Sequence, residues 1–283
     1  MSAKQGGVAT AAMFQQFLSI CMEEFPQTLD YTGSDDENGD STTTFLRRQM
    51  MYMPEDDGDD GGIDTPECMN YTLHKADGDQ TLHSCVQLVD EHLGAKYRRA
   101  SRTMYGNRLP WKANKLAEMK SAGLVYVCYW GNDAQGERAL GAFASFMLTE
   151  ETGLVEGDTA HEQSVPVIYL YEVHVARAHR GRGLGRRLLA KALCEGVAAR
   201  VRRTCDDFFG VALTVFGDNT RARRLYESLG LERAPGSPAP IAAPLPRVTR
   251  RGLGGGHGHG HAAAAAAAVA RDPLYYVYCL RLA

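Results

Sequence analysis

The sequence predicts an α/β fold of the α+β type, with a mixed central β-sheet flanked by helices. Three observations predict it. A run of strand-forming residues, 167–175, carries apolar side chains on both faces, as in a strand inside a covered sheet. A basic glycine-rich loop follows at 180–185, and residues 186–200 then combine good helix formers with one apolar face. Further helix-like and strand-like segments flank this unit on both sides.

Those further segments have ordinary helical or strand periodicity. The helices are predicted at residues 10–24, 82–103, 111–122 and 219–229. The strands are predicted at residues 124–130, 139–148, 211–216 and 274–282. The first helix carries an apolar face, so we expect it to pack on the domain.

The two ends of the chain differ in composition. Residues 1–80 are predicted to be a disordered acidic extension with one short helix, because residues 30–64 carry eleven acidic residues and two arginines. Deletion of residues 1–75 is therefore expected to leave activity largely intact. Residues 81–283 are predicted to be one domain with a low-complexity insertion at about 235–271. Three alternating histidines in that insertion are interpreted as an incidental tract rather than a metal site.

Composition excludes several classes of protein. The net charge is −3, and no apolar run approaches the roughly 20 residues that span a bilayer. The N-terminus has no basic segment followed by an apolar core, so no signal peptide is expected. Seven scattered cysteines without a Cys-x-x-Cys pair favour free thiols in a reducing compartment.

The glycine loop has the properties of an anion site. Its sequence is Arg-Gly-Arg-Gly-Leu-Gly, and a helix that begins there points free N–H groups and its positive dipole end at the loop. Residues 176–203 contain nine Lys or Arg and one acid, Glu195, which suits a polyphosphate. The glycine spacing matches neither the dinucleotide fingerprint nor the P-loop. A glycine-rich turn with a solvated basic face is the alternative.

The pattern Arg180-x-x-Gly183-x-Gly185, between a strand and a helix, resembles the acetyl-CoA pyrophosphate loop of the GNAT acetyltransferases. Three further blocks resemble the NatD type (N-alpha-acetyltransferase D) within that family. They are residues 88–119, the Tyr-x-Tyr-Glu of residues 169–172, and the Leu-Thr-Val-Phe-x-x-Asn of residues 213–219. The resemblance covers about residues 85–232 and 272–282.

This resemblance implies the GNAT acyltransferase fold, acetyl-CoA as co-substrate and no metal. It implies acetyl transfer to the N-terminal alpha-amine of histones of the H4 type, whose tails begin Ser-Gly-Arg-Gly. It further implies a nuclear and cytoplasmic location, action without an auxiliary subunit, and no direct binding of nucleic acid or membrane. Two alternatives remain open: a GNAT acetyltransferase of small-molecule amines, and an inactive peptide-binding module that keeps the fold.

The resemblance also implies where acetyl-CoA binds. The cofactor lies like an added strand against the backbone of the central strand, and its pyrophosphate reaches the glycine loop. For Asn219, capping of the following helix is an equal alternative. The predicted cofactor-binding residues are Val173, His174, Val175, Arg180, Gly181, Arg182, Gly183, Leu184, Gly185 and Asn219.

Acetyl transfer requires a neutral amine, and an alpha-amine has a pKa near 8, so its deprotonation at pH 7 is modestly uphill. Glu172 is the predicted base, acting directly or through water. Its alternative role is an exposed strand residue paired with an arginine. Tyr226 occupies the position of a GNAT tyrosine near the CoA sulfur, where it would protonate the leaving thiolate. Tyr171 is the third catalytic candidate.

The substrate-binding residues predicted from the resemblance are mostly aromatic. In a regular strand Tyr169 and Tyr171 face away from Glu172, so their role requires a bulge; core packing is the alternative. Thr149 stands where the family has an Asp, and the neighbouring Glu150 or Glu151 is expected to supply that charge. The predicted set is Tyr105, Trp111, Thr149, Tyr169, Tyr171 and Tyr275.

Overall fold

A computed structural model describes residues 11–34, 41–53, 75–156, 163–241 and 271–282. The histidine and alanine tract of the insertion lies outside these residues. No helix in the described ranges is long and apolar enough to cross a membrane. The six cysteines within them are free thiols.

Within the described chain, eight strands form one sheet in the order β1-β2-β3-β4-β5-β6-β8-β7. All neighbours are antiparallel except β5 and β6, so the sheet is mixed as predicted. The strands are β1 Thr28–Ser34, β2 Ser41–Tyr52, β3 Val125–Asn132, β4 Arg138–Glu151, β5 Val165–Val175, β6 Gly210–Phe216, β7 Glu232–Arg233 and β8 Tyr275–Arg281.

Helices cover both faces of the sheet. One face carries α1 (Ala11–Glu24) and α4, a continuous helical segment built from Leu184–Arg186, Arg187–Ala198 and Ala199–Thr204; both pack into one large apolar core. The other face carries α2 (Lys75–Tyr105) and α3 (Trp111–Met119) over a second core. A shorter helix, α5 (Thr220–Ser228), follows β6.

The N-terminal region corrects one expectation. Residues 28–34 and 41–52 are not a disordered linker: they form β1 and β2, and β2 extends the sheet beyond β3. The acidic residues are concentrated at 35–40 and 55–64, so the composition of the whole stretch concealed the strand-forming residues between them. Leu29, Leu46 and Met50 are almost fully buried. As expected, α1 docks on the domain.

The insertion lies between β7 and β8 in the chain, and both strands belong to the same sheet, as predicted. Ile241 and Arg271 form an isolated antiparallel bridge through two backbone hydrogen bonds of 2.8 and 2.9 Å. The strand β8 pairs with β6 and β7 despite the length of intervening chain.

Two irregularities of β5 shape the site. Leu170 pairs with Phe146 and Glu172 with Ser145, so Tyr171 is the extra residue of a β-bulge. In the described chain, the parallel pairing of β5 with β6 covers only Val167–Leu170, and the two strands separate beyond it. The bulge turns Glu172 toward α2 and α3, and the separation opens a cleft beside the second half of β5.

Candidate active site

A cavity of about 2820 Å³ fills the cleft between β5 and β6. It runs from the glycine loop, past the bulge, to the ends of α3 and β4. Of the predicted site residues, those on its wall are Tyr105, Thr149, Tyr169, Tyr171, Glu172, Val173, His174, Val175, Arg180, Gly181, Gly183, Leu184, Gly185, Asn219, Tyr226 and Tyr275. The structure thus brings together residues from six segments of the chain.

Two predicted residues are not on this wall. The Trp111 ring is buried and stacks on Tyr97, with ring centroids 5.1 Å apart and planes at 11°. Trp111 therefore supports the wall from behind rather than lining a peptide entrance, because α3 turns it toward α2. The Arg182 guanidinium lies over the Tyr31 ring of β1, 5.4 Å from its centroid, on the other side of the loop.

The backbone of the glycine loop requires glycine at two positions. Gly181 and Gly183 have φ of 77° and 74°, the left-handed region that side chains other than glycine rarely adopt. Gly183 ends the loop, and its carbonyl accepts from the N–H of Arg187 in the first turn of α4. Gly183, Leu184 and Gly185 at this helix start line the cavity, and a helix N-terminus favours an anion.

The loop end of the cavity is positively charged. Burial, and then the charges of Arg221 and Arg177, lower the pKa of the Arg180 guanidinium below its usual value. Its Nε donates to the carbonyl of Val175 at 2.9 Å, so the side chain is fixed against the end of β5. Cations that repel one another around a helix N-terminus favour a polyanionic ligand.

Glu172 lies at the centre of a buried polar network. Its Oε1 is 2.5 Å from the Nζ of Lys115 and accepts from the Tyr97 hydroxyl at 3.2 Å. Its Oε2 is 2.6 Å from the Nε2 of His174. The three partners come from α3, α2 and β5, and no arginine is among them. Glu172 is 6% exposed and Lys115 is 2% exposed, so this ion pair is largely removed from water.

This network sets the charge of Glu172. Burial by itself would raise its pKa, but the Lys115 ammonium, with the hydrogen bond and charge of His174, lowers the pKa to about 2. Burial likewise opposes the charge of Lys115, while Glu172, Tyr97 and Glu118 raise its pKa above the usual value. Both groups are therefore ionised at neutral pH.

The network continues along α2 to a second histidine. The Nδ1 atoms of His174 and His92 are 2.8 Å apart. One of these two nitrogens donates to the other. The Nε2 of His92 is buried without a partner among the described residues. Burial, His174 and Arg180 lower the pKa of His92 to about 4, so it is neutral.

The bulge places the two tyrosines of β5 beside Glu172. Tyr171 packs against the core beneath α2 and α3, and its ring contacts Tyr169 at a centroid distance of 5.2 Å. Burial is the main cause that raises the pKa of both hydroxyls, followed for Tyr171 by the charge of Glu118 and then of Glu151. Both tyrosines line the cavity, so the bulge that their predicted role requires is present in the structure.

The end of the cavity near β4 is acidic. Glu118, Glu150 and Glu151 line it together with Thr149. Glu118 accepts from the Tyr105 hydroxyl at 2.9 Å and pairs with Lys115 at 2.6 Å. Burial raises the pKa of Glu151. The charge that Thr149 lacks is thus present on the same wall.

The other predicted residues have defined positions. Asn219 caps α5, because its side-chain oxygen accepts from the N–H of Ala222 at 3.4 Å. The Tyr226 hydroxyl lies in the cavity wall, and burial followed by the charge of Glu172 raises its pKa. Among the described residues, no group of three or more His, Cys, Asp and Glu is placed to hold a metal ion.

Sequence reasoning missed Lys115, Tyr97, Glu118 and His92. Lys115 carried a detectable signal: it lies four residues from Trp111 and from Met119 on the predicted helix, so it shares their buried face. A lysine on an apolar helix face requires a buried partner. The identity of that partner, 57 positions later in the sequence, has no local signal.

The sequence is similar to those of known acetyltransferases. Residues 87–231 match the model of the acetyltransferase (GNAT) family. The chain is 65% identical, over 97% of its length and 90% of the relative's, to "N-alpha-acetyltransferase 40" of Saccharomyces cerevisiae. Structures of Arabidopsis thaliana NAA60 "in complex with a bisubstrate analogue" and "in complex with acetyl-CoA" are both 13% identical with a TM-score of 0.38. The match covers 72% of this chain in each case, and 95% and 94% of those two chains respectively. With a family match over half of the chain and a relative this similar, the chain belongs to the GNAT family of acetyltransferases.

Proposed function

We propose that this enzyme transfers the acetyl group of acetyl-CoA to the N-terminal alpha-amine of histones of the H4 type, whose tails begin Ser-Gly-Arg-Gly. One observation carries the proposal: a single cavity joins a cationic glycine loop to a carboxylate-rich pocket at the bulge of β5. The similarity to a relative named N-alpha-acetyltransferase supports the alpha-amine. Together with this substrate we propose that the enzyme acts in the nucleus and cytoplasm and without an auxiliary subunit.

The loop end suits acetyl-CoA. The pyrophosphate lies at the N–H groups of α4 with Arg180 beside it, and the pantetheine arm runs along the edge of β5 that β6 leaves unpaired. The backbone of Val173, His174 and Val175 runs along this edge, and the groups there that neither β4 nor Arg180 engages are left for strand-like hydrogen bonds to the arm. The thioester then lies near Glu172 and Tyr226, at the middle of the cavity.

Glu172 accepts the amine proton, directly or through water, as the C–N bond forms. Transfer from a free ammonium of pKa about 8 to a carboxylate of pKa about 2 is uphill by about 8 kcal/mol. The neutral fraction of the amine, which has lost one proton to solvent, therefore attacks the thioester carbon; its nitrogen then bears a positive charge and is far more acidic, so transfer of the second proton to Glu172 becomes favourable. The C–S bond then breaks. Tyr226 keeps its proton at neutral pH and donates a hydrogen bond to the departing sulfur.

The acidic end suits a substrate with a positive charge near its N-terminus. Glu150 and Glu151 line the wall beyond the two β5 tyrosines, where they attract the arginine of a Ser-Gly-Arg-Gly tail. Their carboxylates supply the charge that Thr149 lacks. The aromatic rings of Tyr105, Tyr169 and Tyr171 pack against the small residues that precede the arginine.

Steady-state acetyl transfer tests the proposal. A Ser-Gly-Arg-Gly peptide with a free N-terminus is expected to be acetylated, the same peptide with a blocked N-terminus is expected to be inert, and Ser-Gly-Ala-Gly is expected to have a raised KM. Faster turnover of polyamines or arylamines than of the peptide would replace this function with small-amine acetylation. Tight peptide binding without any turnover would identify an inactive binding module.

A further inference from the structure

We infer that Lys115 is a positioning residue of the acetyl transfer: its buried ammonium fixes the place of the Glu172 carboxylate and keeps that carboxylate ionised. The inference rests on the proposed role of Glu172. Lys115 lines the cavity, but its ammonium pairs with two carboxylates and lies over an aromatic ring. It therefore acts on the reaction through Glu172.

The geometry leaves Lys115 little freedom. Its Nζ lies 2.5 Å from Glu172, 2.6 Å from Glu118 and 5.4 Å from the centroid of the Tyr97 ring. The residue is 2% exposed, so water does not screen these contacts. One ammonium thus ties α3 to β5 at the bulge, and the position of the carboxylate depends on that link.

The charges around Glu172 show why this cation matters. Apart from Lys115, the groups that face it are neutral or acidic at pH 7, or are histidine side chains. These groups are Cys85, His92, Tyr97 and Tyr105 of α2, Glu118 of α3, Tyr126 of β3, His174 of β5 and Tyr226 of α5. Without Lys115, burial is opposed only by the tyrosine hydroxyl and the histidine, so Glu172 takes up a proton more readily.

Stability measured against pH tests the inference without reference to any substrate. In the wild type the folded-state pKa of Glu172 is depressed. The stability that Glu172 contributes is therefore present above the unfolded pKa and is lost only as pH falls toward about 2. In Lys115→Met the folded-state pKa of Glu172 is expected to be raised above the unfolded value. The stability that Glu172 contributes is then fully present below the unfolded pKa and is lost as pH rises through the folded pKa.

The experiment compares melting temperatures from pH 5 to pH 8 for Lys115→Met, Lys115→Met/Glu172→Gln and Lys112→Met. Lys112 lies on the same helix, but it is half exposed and pairs with Asp90 at the surface, so it is the matched control. The melting temperature of Lys115→Met is expected to fall as pH rises, relative to the melting temperature of the double variant at the same pH. If it folds only at the acidic end of this range, the inference is equally supported. Parallel curves for the two variants would overturn it.

Turnover supplies the second readout. In Lys115→Met the acid limb of the kcat profile is expected to move to higher pH by more than about 3 pH units, because loss of the opposite charge leaves the burial of Glu172, worth up to about 3–5 units for a fully buried acid, largely unopposed. Lys115→Arg keeps the charge and is expected to restore the wild-type shape. A uniform loss of kcat at every pH would assign Lys115 a purely structural role. If the wild type fails to acetylate the peptide, the proposed function fails while the melting curves still decide the ionisation of Glu172.

Discussion

The packing of α1 on the sheet predicts that Phe17→Ala destabilises the whole domain. Phe17 is 1% exposed and meets Phe146 of β4 edge to face, with ring centroids 6.1 Å apart. Removal of a buried phenylalanine ring lowers the free energy of unfolding by about 3–5 kcal/mol, because apolar burial is lost and a cavity remains. Domain stability is typically about 5–15 kcal/mol, so this one change removes a large share of it.

A matched control uses the same substitution at an exposed position. Phe45 on β2 is 60% exposed, so Phe45→Ala is expected to change stability by no more than about 0.5 kcal/mol. At about 2–4 °C per kcal/mol, Phe17→Ala is expected to melt about 6–20 °C below the wild type, while Phe45→Ala melts within about 2 °C of it. Thermal unfolding followed by circular dichroism measures both.

Deletion extends the test to the whole N-terminal region. Removal of residues 1–53 uncovers the buried Val127, Tyr129 and Phe146 and leaves β3 as an open edge. The truncated chain is expected not to fold, contrary to the expectation from composition. The reasoning is refuted if Phe17→Ala melts together with Phe45→Ala, or if the truncated chain unfolds cooperatively and retains full acetyl transfer.

The remaining predictions concern the site and the insertion. Glu172→Gln is expected to lower kcat by about 10²–10⁴-fold, with little change in the Kd of acetyl-CoA; the loss persists above the alpha-amine pKa, because Glu172 accepts its proton after nitrogen has attacked, and near-normal turnover at pH 7 would remove Glu172 from the chemistry. Arg180→Ala and Gly183→Val are expected mainly to weaken acetyl-CoA binding in calorimetry, the latter because valine is strained at a φ of 74°. Glu151→Gln is expected to raise the KM of the arginine-containing peptide but not that of acetyl-CoA, and an unchanged KM would argue against its role. Excision of residues 254–268 removes 15 of the 37 residues of the insertion, which changes loop entropy by less than about 0.6 kcal/mol, so a large fall in melting temperature would contradict the assignment.

Elements with a local pattern could be predicted from the sequence. The central strand, the glycine loop and the helix after it are contiguous, and their glycines and apolar periodicity are readable in one window. The same holds for the β3–β4 hairpin and for β8 after the insertion. The positions of Glu172, Arg180 and Gly183 on one cavity follow from this contiguous unit.

The rest depends on contacts between distant segments. The strands β1 and β2 were hidden because their acidic neighbours dominate the average composition. The bulge at Tyr171 is a mismatch of register with β4, which one strand alone does not encode. The inward direction of Trp111 and the pairing of Lys115 with Glu172 both depend on how α3 packs against α2 and β5. These are tertiary features, and propensity does not determine them.

The most direct test of the central claim is mass spectrometry with site mapping of an H4-type histone tail after reaction with acetyl-CoA. The tail carries one alpha-amine and several lysine amines, so one substrate compares both kinds of acceptor. The account predicts a single acetyl group on the N-terminal serine and none on the lysines. Acetyl groups on lysine side chains with a free N-terminus would contradict it.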